Sequence, residues 1–295
     1  MATLSPKDPK YPLVRSLRVN QSALADVRRA MITAMKSITV QLAALPDGTN
    51  PLTVAQLKAQ RGALKATLGT AFKTVGEITD AGQRAAISAA YDTIYQYERP
   101  LLTALTDSKA GVQSLDVFAK SQAQTAANGT RTLMDRLGGS KQPLAKSVYN
   151  ATAFSNNLLD NRINTAIVRG SSAKDFAASV IDLVNPNTPG GANYAANRLA
   201  RTELNNAFHA GSIQRSQASG IVDSMDWKLS SSHPKADECN SLQIDSPYGV
   251  KSVPMKPHPH CFCFIVPRLP TEAEFMNNLL NGGYGDSPLV GIAQG

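Results

Sequence analysis

Aromatic residues are scarce, at 6% of the 295-residue chain, and there is one tryptophan. The apolar fraction of 42% is therefore carried largely by Ala, Leu, Ile and Val, a mix that suits packed helices better than a β-sandwich. Long hydrophobic runs are also missing. Nothing approaches the roughly eighteen consecutive apolar residues of a membrane helix, so no membrane partner is expected. The first eighteen residues carry charges with no apolar core behind them, unlike a secretory signal. Synthesis in the cytoplasm is the expectation. Cysteine and histidine are rarer still, with three and four copies.

What is rare is also gathered together. Cys239, Cys261 and Cys263 lie within 25 residues, and with His233, His258 and His260 they all fall within residues 233–263. The fourth histidine, His209, lies not far upstream. Charge is uneven as well. Residues 1–150 hold 19 Lys/Arg against 10 Asp/Glu, a net of +9, while residues 151–295 hold 11 against 12, a net of −1. A basic half suits nucleic acid or an acidic protein surface, although the bases are scattered and only Arg28-Arg29 form a doublet.

Hydrophobic periodicity predicts a mainly α fold, with an N-terminal helical bundle and a small α+β C-terminal domain containing a His/Cys-rich loop region. Residues 1–19 read as an extended arm. A helix capped by Asn20 or Ser22 follows, with Leu24, Val27, Met31, Met35, Ile38, Leu42 and Leu45 on one stripe. After a break at 46–51, helices are expected over about 53–78, 81–105 (bent or broken at Pro100), 112–137, 144–169, 173–184 and 194–218. The helix over 112–137 ends at Gly138-Gly139, and Ser172 with Asp175 reads as a variant capping box. Met225 to Leu229 alternates like a strand, residues 230–260 read as irregular, and Cys261 to Val266 is a second strand candidate. A short helix near 271–280 precedes a Gly-rich tail. The domain boundary is placed near residue 140, giving 1–140 as a helical docking domain and 141–295 as the motif-bearing domain.

Two motifs carry the chemistry: His233-Pro-Lys-Ala-Asp-Glu-Cys239 and His258-Pro-His-Cys-Phe-Cys263. On a strand, Cys261 and Cys263 share one face and Phe262 and Phe264 the other. Two sulfurs then aim at one point while the rings enter a core. With Cys239 from the preceding loop and an imidazole from His258 (alternates His260 and His233), the set makes a tetrahedral zinc site. The metal would replace part of the core that so small a domain lacks. Reduced thiols shaping a loop, or a disulfide with one thiol left over, are the other readings. Upstream, Arg201, Asn205 and His209 are spaced by four on one helical face. They form either a polar stripe that hydrogen-bonds to the cysteine loops or one wall of a catalytic groove. Gly211 marks close packing of another backbone.

Ala200-Arg-Thr-Glu203, Ala207, Gly211, Gly220, Trp227, Cys239 and the ending His258-Pro-x-Cys-x-Cys263 with Pro267 follow one another as in the phage Mu F-like minor head proteins, the phage head morphogenesis family, which this chain resembles over about residues 145–270. His260 stands where that family often has a small or polar residue. The resemblance implies a minor structural protein of procapsid and virion, assembled in the host cytoplasm and located at the portal vertex or in the head interior. Its implied partners are the portal protein, the major capsid or scaffold protein, and packaged DNA. It implies no enzymatic activity.

Other classes remain. Arg201, the Ser230–Ser232 run and Glu272-Ala-Glu274 occur in the order used by ADP-ribosyltransferases, in which an Arg holds phosphates and a Glu stabilises the oxocarbenium. A nuclease built on the His/Cys cluster is a second enzyme reading. A DNA-binding adaptor fits the basic half but shows no recognised DNA-binding motif.

Overall fold

The structure is a computed structural model that describes residues 5–46, 51–106, 108–137, 143–233, 236–284 and 287–294. Among the described residues there are ten helices and one three-stranded sheet near the C-terminus, so the fold is mainly α with a small α+β C-terminal part. The expected breaks at 47–50 and at Gly138-Gly139 lie outside the described residues.

Helix α1 spans Tyr11–Ala43, so the extended arm ends far earlier than residue 19. Pro12 lies in the first turn, where a missing N–H costs nothing, and Asn20 is a buried mid-helix residue rather than a cap. Helix α2 runs unbroken from Val54 to Thr103, which merges the two helices expected over 53–105. No strong breaker interrupts it before Pro100. Thr79 and Gln83 are buried, and the Thr79 hydroxyl donates to the Val75 carbonyl within the helix (2.7 Å). Pro100 falls in the last turn, so only three residues of the helix follow it. The stretch 112–137 is instead split into α3 (Lys109–Asn128) and α4 (Thr130–Leu137) at Gly129. Helices α5 (Leu144–Arg169), α6 (Ala173–Val184) and α7 (Ala192–Ser219) follow the expected pattern. Gly170 closes α5 in the left-handed region at φ 60°, a conformation glycine adopts without penalty.

The chain divides into two compact units: Met1–Asn20, Gly82–Lys141 and Leu204–Gly295 form one, and Gln21–Ala81 and Gln142–Glu203 the other. Each draws segments from both sides of residue 140, because α1, α2 and α7 each contribute to both. Among the described residues, the second unit is built from helices, with one isolated bridge between Pro51 and Ser172. Its core includes Val27, Met31 and Ile38 of α1, Leu64, Leu68 and Phe72 of α2, Leu159 and Ile163 of α5, and Phe176 and Val180 of α6. Asp160 of α5 receives both Arg61 and Lys65 of α2 at 2.7 Å. Hydrogen bonds from Arg61, then Lys65, hold its carboxyl down at about 2.

The first unit carries the motifs. In it β1 (Ser224–Lys228) pairs antiparallel with β2 (Tyr248–Gly249) on one side and β3 (Phe264–Arg268) on the other. Trp227 faces Ile265 and Met225 faces Pro267, and the side chains of Met225, Trp227 and Ile265 turn into the core. Helix α7 crosses α2 closely at Gly211, where an added Cβ would lie 3.0 Å from Ala90 Cβ and 3.1 Å from Ile87 Cα. The region expected to be irregular contains α8 (Glu238–Ile244) and β2. The Gly-rich tail packs: α9 (Glu272–Leu280) and α10 (Pro288–Gln294) bring Phe275, Leu289 and Val290 against Leu115 and Ala119 of α3.

One ion pair in this unit is buried. Arg215 of α7 donates to Glu98 of α2, with side chains 2% and 0% exposed. Burial raises the carboxyl pKa of Glu98 and the arginine opposes that rise. Removing one partner strands the other charge. Arg215→Met should therefore lower the unfolding free energy by about 3–5 kcal/mol, measured in urea, and adding Glu98→Leu should recover most of the loss. Equal losses in the single and double variants would contradict this.

Candidate metal centre

The centre is assembled from three short segments of the first unit. The first is α8, whose start is set by a capping box. The Asp237 carboxylate accepts the Cys239 N–H (2.7 Å), and Asn240 Oδ1 accepts the Asp237 N–H (2.9 Å). This reciprocal cap fixes the first turn and turns Cys239 fully into the interior. The second segment is the turn around His258, in which His260 adopts φ 61°, a left-handed conformation uncommon for a non-glycine residue. The third is the stretch leading into β3. Cys261 and Cys263 precede the strand instead of lying in it, but the alternation continues, so Cys261, Cys263 and Ile265 are all buried. Phe262 and Phe264 are only half-buried, so the sulfurs take the core-facing positions and the rings do not.

Two overlapping groups of donor atoms result, His233–Cys239–Cys263 and Cys239–His258–Cys261, each with its atoms within 4.8 Å of one another. The Cys239 sulfur lies 3.5 Å from that of Cys261 and 3.4 Å from His258 Nε2. The Cys263 sulfur lies 3.8 Å from His233 Nδ1. Around a tetrahedral ion with sulfur and imidazole ligands, neighbouring donors sit roughly 3.5–3.8 Å apart, so these separations suit one small cation. These groups could hold a metal ion, and Cys239 belongs to both. Of the expected histidines, His258 and His233 are brought to the sulfurs, and His260 is in neither group.

The imidazoles are oriented from behind. His233 Nε2 lies 2.9 Å from Asn240 Oδ1, so its proton sits there and Nδ1 presents a lone pair to the sulfurs. The Asp237 carboxylate lies 3.1 Å from His258 Nε2, the nitrogen that faces the Cys239 sulfur, and on the far side of the ring His258 Nδ1 lies 3.0 Å from the Pro259 carbonyl. Outer partners of this kind fix the tautomer of a metal-binding histidine. Burial pushes the Cys239 thiol up to about 12. Cys263 is raised by its hydrogen bond with Cys261 and by burial, while Cys261 is lowered by the same bond. A metal must displace these protons to bind. All three cysteines are free, and none forms a disulfide.

Helix α7 supports the centre with two residues of the expected polar stripe. Asn205 Nδ2 donates to the Cys261 carbonyl (3.3 Å), and His209 Nε2 donates to the Pro254 carbonyl (2.9 Å) with its ring edge-on to Trp227. Arg201, the third member, belongs to the other unit. Sequence reasoning missed Asp237 and Asn240, whose only signal is that of a cap before a short helix. It also missed Lys256, which carries no local signal. The Lys256 ammonium donates to the carbonyls of Cys261 (3.1 Å) and Cys263 (2.5 Å). Glu274 caps α9, accepting the Thr271 N–H and hydroxyl, both at 2.8 Å. Ser230 and Ser232 hydrogen-bond to each other at 3.2 Å.

Comparison with family models, curated proteins and solved structures finds no match to this chain.

Because Cys239 is shared by both donor groups, Cys239→Ser should abolish metal binding, whereas His258→Ala and His233→Ala should each leave partial binding. Equilibrium dialysis with elemental analysis reads this, and a Cys239→Ser chain that binds as the wild type does would contradict it. Acid should act through His209. Burial, reinforced by Lys256, lowers the His209 pKa from 6.5 to about 3, so the unfolded chain binds the extra proton between these values. Stability from this group is full above pH 6.5 and is lost as pH falls toward 3, with a slope up to about 1.4 kcal/mol per pH unit. His209→Gln should flatten that part of the stability–pH curve, and an unchanged slope would show that His209 does not titrate this way.

Proposed function

We propose that this chain is a minor structural protein of a tailed-phage head, present in few copies at the portal or the capsid interior, and that zinc closes its C-terminal region. The observation that carries the reading is a coincidence of residues. Cys239 and the His258-Pro-His-Cys-Phe-Cys263 ending, which carry the resemblance to the Mu F-like minor head proteins, are also the residues that meet around the candidate metal centre. Asn205, on the helix that opens that resemblance, binds the Cys261 carbonyl. The motif thus has a physical reason to be spaced as it is.

Zinc is the cation that best suits three sulfurs and an imidazole. A shell filled by protein side chains leaves no position for an activated water, which is the arrangement of a structural site rather than a hydrolytic one. The proposed role is therefore assembly: support of head morphogenesis and of DNA packaging or ejection through contacts with the portal and with capsid or scaffold protein. The basic N-terminal half is the part suited to packaged DNA. No described helix is long and apolar enough to cross a membrane.

Mass spectrometry of purified procapsids and virions should find this chain at far lower stoichiometry than the major capsid protein, and the purified chain should carry about one zinc. Absence from both kinds of particle would sink the structural role, whatever the metal content.

A further inference from the structure

Among the described residues, Lys256 forms no ion pair with a carboxylate. Its ammonium is turned onto two backbone carbonyls, those of Cys261 and Cys263. A small cavity receives it, lined by Ser16, Asn205, His209, Phe262 and Phe264, none of which carries a negative charge. The nearby groups that become negative on losing a proton are the thiols of Cys261, Cys263 and Cys239. Lys256 is half-buried, and an ammonium withdrawn in part from water and given only neutral acceptors is costly. Such a placement is stable where an anion lies close by.

The metal centre supplies that anion. A divalent ion held by three thiolates and a neutral imidazole retains one negative charge, whereas two thiolates and two imidazoles would leave none. We propose that Lys256 is the counter-cation of a three-thiolate centre: it offsets the residual charge of the metal-bound sulfurs and, through the Cys261 and Cys263 carbonyls, holds the two ligand-bearing residues in place. The inference rests on the metal reading above and deepens it, by naming the charge state of the site and the residue that sets it. Lys256 acts through the ligands and touches no metal, so it is a positioning residue. Asn205 shares the Cys261 carbonyl but is neutral, so the charge is Lys256's own contribution.

The test uses the full chain and two metals. Zinc affinity is read by competition with a chromophoric chelator. Cobalt(II) is read by its sulfur-to-metal charge-transfer absorption, whose intensity grows with the number of bound thiolates. Lys256→Met removes charge and hydrogen bonds, Lys256→Gln keeps a donor for the carbonyls without the charge, and Lys256→Arg keeps the charge. Lys256→Gln and Lys256→Met should each weaken zinc binding about 10–100-fold, the range seen when an outer-shell partner is lost, and should reduce the cobalt charge-transfer band. Lys256→Arg should restore most of both. Wild-type affinity and spectrum in Lys256→Gln would overturn the counter-cation role even if Lys256→Met failed to fold. A wild-type chain that binds neither metal would overturn this inference together with the metal reading, which separates the two failures.

Discussion

The sulfur of Cys239 is the point on which the C-terminal region closes. It is the one donor common to both groups, and it reaches them because a capping box pins the first turn of α8. Around it lie three short segments: a seven-residue helix, a turn containing a left-handed histidine, and a five-residue strand. A three-stranded sheet of this size has little area to bury and needs either a packed helix or a cross-link. Here it has α7 packed beneath it and sulfur donors gathered beside it.

Polar contacts then radiate from that point. Asn205 and Lys256 both hold the Cys261 carbonyl, Lys256 also holds that of Cys263, and His209 holds that of Pro254. The loop is thus fixed through its backbone, while its sulfurs contact one another and the imidazoles of His233 and His258. Burial, reinforced by the nearby Lys256, keeps His209 neutral, and its Nε2–H donates to the Pro254 carbonyl in that state. Asn240 serves twice: its side-chain oxygen completes the helix cap and also orients His233. Local helix chemistry and metal-ligand orientation are therefore the same set of bonds, so a change at the cap is also a change at the centre.

Much of this was legible in the sequence, for identifiable reasons. The stripe Val27, Met31, Ile38 and Leu42 predicted a buried helical face because apolar residues at steps of three and four line up on one side of a helix and of no other regular element. The spacing of Asn205 and His209 placed them on one face, and the clustering of rare residues located the centre. The failures are equally physical. Residues 11–19 looked extended because the first nineteen residues hold three prolines and several charges, yet a first-turn proline such as Pro12 is harmless. The junction near Asp80 looked like a break because no local term favours continuing the helix there, and burial of Thr79 and Gln83 decides it instead. Lys256 carried no signal, because its significance lies in carbonyls five and seven residues away that only the folded turn brings to it.

Periodicity, capping residues and composition act over one or two helical turns, so the chain by itself determined its helical class, most of its helix ends, and the fact that its thiols and imidazoles would share one region. Which imidazoles face the sulfurs is a different kind of question. His233, His258 and His260 are equivalent by type and nearly so by position. Their separation comes from the Asn240 hydrogen bond, the Pro259 carbonyl and the left-handed backbone at His260. Those are contacts between segments, and only the tertiary structure sets the distances between segments.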